Sequence, residues 1–331
     1  MTSLKPPSYE NQSSQQSTGQ RLLVQIPCLN EAESIARVIA SIPRRTEHPD
    51  VRVEVLVIDD GSSDGTAQIA IDAGADFVIS HKYTKGLAEA FKTGQAFALK
   101  NGYDILVNTD GDDQYFQDKI PQLIEPILNG RAEIVVGNRM TSNLSHFSWG
   151  KKIMQRVGTK ALNLAGGTDV PDAASGFRAY SRFALANLFI TTKFSYAMET
   201  FIQAGVKNLR IESVDTGAKP VHRPSRLFRS SFEHVVKSGL AILRGFIMYK
   251  PMRVFMTLSL LLLLTGLAPF VRYLILTIQG NAGDHFQSLL VGAILLIAGA
   301  IIGMSGILAD MIRVNRLLIE EVLSQSRLGH S

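Results

Sequence analysis

Between residues 21 and about 220, short apolar runs alternate with stretches whose apolar positions recur every three to four residues. The runs at 22–27, 53–59, 77–80, 105–108 and 134–137 are rich in Val, Ile and Leu and read as strands. Ile35, Val38, Ile39 and Ile42 fall at i, i+3, i+4 and i+7, one face of a helix, with Asn30 and Glu33 spaced as a capping box at its start. Alternating strand and helix predicts an α/β domain with a mainly parallel sheet covered by helices. Ligands of such sheets bind beyond the carboxyl ends of the strands. Four polar clusters fall there: Asn30-Glu31, Asp59-Asp60, Asp110 to Asp112, and Asn138-Arg139.

The pattern then changes twice. In 226–250 the residues Phe232, Val235, Val236, Leu240, Leu243 and Ile247 form a stripe, with Arg229, Glu233, Lys237 and Arg244 off it. A basic amphipathic helix of this kind suits the plane of a membrane interface. After it, 254–271 and 289–309 carry no charged residue, each about the ~20 residues that cross a bilayer core. These predict a transmembrane hairpin over 251–312, with spans at about 254–276 and 289–310. Arg272 and Tyr273 stand where a snorkelling and interfacial pair would stand. The connector lacks Lys and Arg, whereas Arg244, Lys250 and Arg253 precede the first span and Arg313 and Arg316 follow the second. The positive-inside rule puts the globular part and both termini in the cytoplasm, making this an integral inner or plasma membrane protein. Residues 313–331 are expected to be a cytoplasmic tail. Gly299, Gly303 and Gly306 in the second span suit close helix packing, including a homo-oligomer.

Composition sharpens this in three places. The chain has 331 residues and a net charge of +5, and the segment from His222 to Arg253 alone carries seven basic residues and one acid. The remainder is close to neutral. A basic patch that abuts a membrane span fits anionic headgroups or a lipid phosphate better than nucleic acid. Residues 1–20 are polar, rich in Ser and Gln, without the pattern of a secretory leader, and are expected to be a disordered tail. The single cysteine, Cys28, excludes an internal disulfide and fits a reducing compartment.

The chemistry centres on Asp110-Gly-Asp112, reached directly from the apolar run at 105–107. Carboxylates so close repel one another unless a cation sits among them. Mg²⁺ and Mn²⁺ prefer such oxygens and share their shell with substrate phosphates. An acidic turn after a strand is the plainer alternative. His222 and His234 lack partners at ligand spacing, and Gly166-Gly167 reads as a bend rather than a phosphate loop.

Pro27-Cys-Leu-Asn-Glu31, Val57-Ile-Asp-Asp-Gly-Ser-Ser-Asp-Gly-Thr66, Gly86-Leu-Ala-Glu-Ala, Asp110-Gly-Asp112 and Ser175-Gly-Phe-Arg-Ala-Tyr180 occur in this order. Together they resemble the family 2 glycosyltransferases, specifically the polyprenyl-phosphate glycosyltransferases related to dolichol-phosphate mannose synthase, in their bacterial two-span form. The resemblance covers 21 to about 230. It implies a GT-A-type, Rossmann-like sheet with helices on both faces, and a catalytic domain over 21–225. It implies inverting transfer from a UDP- or GDP-linked sugar to a polyprenyl phosphate, with Mg²⁺ or Mn²⁺ as cofactor.

The resemblance assigns roles residue by residue. Pro27, Leu29, Asn30 and Glu31, with Asp59, Asp60, Gly86, Asp110 and Gly111, would bind the nucleotide sugar. Asp60 and Asp64 have a second reading as turn and cap residues, which is preferred for Asp64. Asp110, Asp112 and Gln114 would hold the metal; Asp113 receives no role. Asp172 matches an aspartate near the acceptor often named as general base. A lipid monophosphate, with a second pKa near ~6, is already mostly dianionic, so Asp172 is expected to order the site and to act as base only weakly. Arg139, Ser175 and one or more of Arg223, Arg226 and Arg229 would bind the acceptor phosphate, guanidinium forks matching its oxygens. The segment 219–230 departs from the mannose synthase pattern, so its arginines do not align singly. Two rivals stand beside this reading: another acceptor, such as a diacylglycerol, protein or polysaccharide, and an inactive membrane scaffold of the same fold. Trp149, the one tryptophan, lies outside any Gln-x-x-Arg-Trp motif, which disfavours a processive synthase.

Overall fold

A computed structural model describes residues 19–46, 48, 50–139, 159–160, 163, 170–173, 175–191, 196–219, 244, 247–280, 283 and 286–329. Residues 1–18 of the expected 1–20 tail, most of the 226–250 amphipathic segment and Arg223, Arg226 and Arg229 lie outside these residues; Gln20, placed in the tail by the sequence, opens the first strand.

The first half follows the alternation. Strand β1 (Gln20–Cys28) leads to α1 (Ile35–Ser41), β2 (Val51–Asp59), α2 (Thr66–Asp72), β3 (Phe77–Ser80), α3 (Leu87–Lys100), β4 (Ile105–Asn108), α4 (Ile120–Leu128) and β5 (Ile134–Asn138). Then come β6 (Arg178–Ser181), α5 (Arg182–Asn187), α6 (Tyr196–Val206) and β7 (Ile211–Asp215). The seven strands form one sheet in the order β3-β2-β1-β4-β6-β5-β7. Strand β6 runs antiparallel to both β4 and β5; every other pairing is parallel. The sheet is therefore mainly parallel, as expected, with one reversed strand, β6, inside it between β4 and β5.

Two apolar layers cover the sheet. Leu22, Val24 and Ile26 point to the layer of α1, α2 and α4; Leu23, Leu56 and Ile58 point to the layer of α3, α5 and α6. Burial on both faces is why these strands read as continuous apolar runs rather than as alternations. Gln25 breaks the run. It is fully buried, and α3 makes room for it at Gly94, where a Cβ would meet the Gln25 amide oxygen at 1.8 Å. Its amide nitrogen donates to Asn108 Oδ1 at 2.8 Å.

The start of α1 differs from the expected capping box. Ser34 is the N-cap, and its hydroxyl donates to the Gly111 carbonyl at 2.7 Å. Asn30 is in the left-handed region at φ 56° and its side chain serves another loop. Tertiary partners outcompete the local cap. Ile42 falls just past the helix but remains in the core.

After the sheet come two long helices, α7 (Pro251–Ile278) and α8 (Phe286–Gly329), both long and apolar enough to cross a bilayer. They pack antiparallel as a hairpin whose outer surface is apolar and exposed. The glycines of α8 face α7: a Cβ on Gly299 would sit 3.0 Å from Leu263, on Gly303 2.9 Å from Ser259 and on Gly306 2.6 Å from Phe255. The small residues thus serve the hairpin itself. Helix α8 does not stop at the expected end of the span but continues through 313–329, where a tail was expected.

Candidate active site

The loops beyond β1, β2 and β4 are sewn into one surface. In the first, the Asn30 N–H donates to Ser62 Oγ at 2.8 Å and Asn30 Oδ1 accepts from the Ser63 N–H at 2.9 Å. The Glu31 N–H donates to Thr66 Oγ1 at 2.9 Å, and the Ala32 N–H to Asp64 Oδ2 at 3.1 Å. Asp64 also accepts from the Thr66 N–H at 3.1 Å, stabilising the turn just before the helix N-cap, Gly65, rather than capping it; these bonds outweigh its partial desolvation and lower its pKa. Leu29 is exposed at the loop tip and Pro27 is buried within β1.

Asp59 and Asp60 diverge. Asp59 is buried with Oδ1 accepting from the Ser62 N–H at 3.0 Å. Asp60 turns under the β3–α3 loop, accepting from the Lys85 N–H at 2.9 Å and the Gly86 N–H at 2.7 Å, and lies 2.7 Å from His81 Nδ1. The geometry gives Asp60 the task of shaping the loop that carries Gly86. The sequence offered no sign of His81, because a lone histidine after a strand has no pattern.

Asp110, Gly111 and Asp112 follow β4. Gly111 is pressed against the first loop: a Cβ there would stand 3.1 Å from Cys28 and 3.4 Å from Glu31. Asp110 is half-buried. Desolvation, then the neighbouring Asp112 charge, pushes its pKa from 3.8 to about 7. Asp112 is exposed and its Oδ1 accepts from the Gln114 N–H at 3.1 Å. Among the described residues no group of three or more His, Cys, Asp or Glu is gathered to enclose a metal. Two crowded carboxylates with an open side fit a hard cation whose remaining positions are filled by phosphate oxygens. The Cys28 thiol beside them is buried, and desolvation plus nearby carboxylates raise its pKa, so it is an inert thiol rather than a ligand or nucleophile.

A second wall faces Asp110. The Gly176 N–H donates to Tyr115 Oη at 2.9 Å, and Tyr115 stacks on Phe177 with centroids 5.2 Å apart. The Gly176 carbonyl accepts from Asn108 Nδ2 at 2.9 Å, and the same nitrogen donates to Tyr196 Oη at 2.8 Å. A Cβ on Gly176 would lie 3.0 Å from Asp110 Oδ2. Arg178 organises this wall from beneath. It is wholly buried and donates to the carbonyls of Ala173, Ser175 and Ala197 at 2.8, 2.7 and 2.9 Å. Gly176 and Arg178 stood inside the quoted motifs without an assigned role, and Tyr115, three residues past the acidic motif, carried no signal of its own. Ser175 is buried and its hydroxyl accepts from the Phe177 N–H at 3.3 Å, turned into the wall.

Arg139 and Asp172 prove to be partners. Arg139 Nε donates to Asp172 Oδ2 at 2.8 Å and Nη2 to Oδ1 at 3.0 Å. Burial opposes the Arg139 charge, but Tyr115, Asp172 and Asp110 outweigh it and hold the guanidinium above its ordinary pKa. Asp113, unassigned in the sequence, is at φ 59° and pairs with Lys219 Nζ at 2.6 Å. The Lys219 N–H donates to the Gln114 carbonyl at 2.8 Å. The strand-to-membrane segment is thereby tied to the acidic loop at the point where the basic run begins.

This sheet, with an acidic loop at the end of a parallel strand, is the GT-A fold. Solved structures agree: that of glucosyl-3-phosphoglycerate synthase from Mycobacterium tuberculosis, in complex with Mn²⁺, uridine diphosphate and phosphoglyceric acid, superposes with a TM-score of 0.54 at 23% identity, covering 70% of this chain and 78% of that one. Residues 23–189 match the family described as Glycosyl transferase family 2, and the chain belongs to that family. It is 30% identical over 176 residues to the polyprenol monophosphomannose synthase of Mycolicibacterium smegmatis, covering 51% of this chain and 64% of the relative. It is 31% identical over 166 residues to the undecaprenyl-phosphate mannosyltransferase of Micrococcus luteus, covering 48% and 66%. It is 31% identical over 180 residues to the UDP-N-acetylglucosamine–dolichyl-phosphate N-acetylglucosaminyltransferase of Methanococcus voltae, covering 48% and 69%. The chain thus spans just under two thirds of the first two relatives.

Proposed function

We propose that this glycosyltransferase transfers a sugar, with inversion, from a UDP- or GDP-linked donor to a polyprenyl phosphate at the cytoplasmic face of a membrane crossed by α7 and α8. The observation that carries the reading is the juxtaposition on one sheet edge of an acidic loop, Asp110 to Asp112, and the Arg139–Asp172 pair, with the membrane hairpin on the same chain. The names of the three relatives, all acting on polyprenyl-type phosphates, support the acceptor.

Asp110 and Asp112, with Gln114, would hold Mg²⁺ or Mn²⁺, which neutralises the leaving diphosphate when bound. Residues 27–31 and Asp59 line the nucleoside side, where carboxylate and backbone groups meet base and ribose. Arg139 offers the acceptor phosphate a cation already oriented by Asp172. Asp172 spends both oxygens on that guanidinium, so it orders the site rather than taking a proton. The acceptor, with a second pKa near ~6, arrives ionised and attacks the anomeric carbon from the face opposite the diphosphate. Ser175, turned into the wall, acts through the loop's shape. Arg223, Arg226 and Arg229 remain the further cations for the phosphate.

The test is transfer by the full chain in detergent, with UDP- and GDP-sugars, a polyprenyl phosphate and Mn²⁺, read by mass spectrometry of the lipid. A glycosyl phosphoprenol of inverted configuration is expected. Transfer only to diacylglycerol or polysaccharide, or no donor binding at all, would overturn the reading in favour of another acceptor or a scaffold.

A further inference from the structure

Helix α8 is longer than its membrane task. Residues 286–309 are uncharged, and at 1.5 Å per residue they reach ~36 Å, enough for the ~30 Å hydrocarbon core. Residues 310–329 continue the same helix for roughly 30 Å more. This extension lies against the catalytic domain, and its contacts converge on Glu320, which is only 5% exposed. Arg316 Nε is 2.7 Å from Glu320 Oε1, and Lys207, at the end of α6, brings Nζ to 2.7 Å from Oε2. Arg316 also donates to Tyr249 Oη at 2.9 Å, and Tyr249 is buried two residues before α7 begins. Further along, Arg327 sits 4.2 Å over the Phe189 ring and donates to the Leu188 carbonyl at 3.2 Å.

One buried charged node therefore joins three parts: the catalytic domain through Lys207, the start of the hairpin through Tyr249, and its end through α8. A buried ion pair is a poor source of stability, because desolvation offsets its attraction. Its strength is register. Apolar helix faces tolerate a slide of one turn, whereas Glu320 meets Lys207 and Arg316 at a single height and rotation, and a slide of ~5.4 Å leaves charges buried without partners.

We propose that Glu320, with Lys207 and Arg316, is a positioning site that sets the height and rotation of the catalytic face above the membrane. This rests on the reading that the acceptor is a membrane-embedded phosphate. Such a phosphate is confined to the headgroup layer and cannot rise to meet a displaced active site. Attack needs reacting atoms about 3–3.5 Å apart. A soluble acceptor carries no such restriction, so the node matters for one class of acceptor and not for the other.

The experiment uses the full chain in phosphatidylethanolamine–phosphatidylglycerol vesicles with a long-chain polyprenyl phosphate, and in parallel a water-soluble short-chain prenyl phosphate. Glu320→Gln and Lys207→Met are expected to lower kcat for the embedded acceptor on the order of tenfold or more, since small misplacements carry large kinetic penalties. The donor KM and turnover of the soluble acceptor are expected to change by less than about twofold. The charge-swapped pair Lys207→Glu with Glu320→Lys is expected to restore part of the loss. Equal losses on both acceptors, or none on either, would overturn the proposal. Should Glu320→Gln not fold, Glu320→Asp, which keeps the charge and shortens its reach, carries the same comparison. A wild-type chain that uses neither prenyl phosphate refutes the acceptor, not the node.

Discussion

Arg139 holds Asp172 in a two-pronged bond, Nε to Oδ2 at 2.8 Å and Nη2 to Oδ1 at 3.0 Å, and the Asp172 side chain is only 2% exposed. Two residues read from the sequence as acting separately, a phosphate binder and a base or orienting acid, form one unit. The carboxylate aims the cation, which under the proposed reading faces the acceptor phosphate.

That pairing is testable through pH. Asp172→Asn keeps the size of the side chain but loses the charge-assisted fork. It is expected to raise the acceptor KM roughly tenfold, the scale of one lost charged hydrogen bond. The low-pH limb of the rate should stay near ~6, because it belongs to the acceptor's second ionisation. Disappearance of that limb in the variant would make Asp172 the base.

Asp110 links the proposed metal site to stability. Its folded pKa of about 7 lies above its ordinary 3.8. Between those values the folded state keeps a proton that the unfolded chain has released, so this group's contribution falls as pH rises through the window. In chelator, the protein is expected to melt at lower temperature at about pH 8 than at about pH 5, with the slope reduced in Asp110→Asn. Mn²⁺ should recover the loss on the alkaline side, since it binds the ionised carboxylate. Identical slopes in wild type and variant, measured by thermal melts, would dismiss Asp110 as the group responsible.

Asp112→Asn is expected to reduce metal-dependent transfer by ~10²-fold or more, the usual scale for losing a group that stabilises transition-state charge. Titration of Mn²⁺ by paramagnetic resonance should show the matching loss of affinity. Full activity in the variant would remove Asp112 from the metal site.

Gly176→Ala is a steric test of the same site. The added methyl would fall 3.0 Å from Asp110 Oδ2 and 3.3 Å from Tyr115 Oη. Mn²⁺ affinity and turnover are expected to drop together while the melting temperature moves little, because the clash is met at the open edge of the sheet. Unchanged Mn²⁺ binding would show that Asp110 does not need this wall.

Lys219 and Asp113 are both partly exposed, at 30% and 22% of their side chains. Lys219→Met is therefore expected to cost no more than ~1 kcal/mol of stability. Its effect should appear as a raised KM for the acceptor, with the donor KM unmoved, since the residue leads into the basic segment. A change in the donor KM alone would place Lys219 on the other substrate.

How much was legible depended on how far each signal reached along the chain. Four of the five strands read from the pattern are buried on both faces, which leaves a largely apolar run; β3, at the sheet's edge, is only partly buried and was readable from Phe77, Val78 and Ile79 alone. Strand β6 was quoted only as a motif: Arg178 at its start and Ser181 at its end leave just Ala179 and Tyr180 between them, too short a run to read as a strand. Strand β7 was missed, since Glu212, Ser213 and Asp215 break its pattern at the sheet's edge. Asn30 looked like a helix cap because capping is judged over three residues, yet its partners are Ser62 and Ser63 on the next loop.

The chain alone pointed to candidate residues for the chemistry and determined where the apolar elements lie, because hydrophobic period and carboxylate clustering are local properties. It determined the parallel layout, the acidic loop at its edge and two spans long enough for a membrane. Only the tertiary structure decided pairing. It joined Arg139 to Asp172, drew Asp60 under Gly86, turned the glycines of α8 toward α7, and drew Glu320 from an expected tail onto Lys207. Each of those partners lies tens of residues away. A charge or a missing Cβ finds its meaning only in what stands opposite, and distance along the chain says nothing of that.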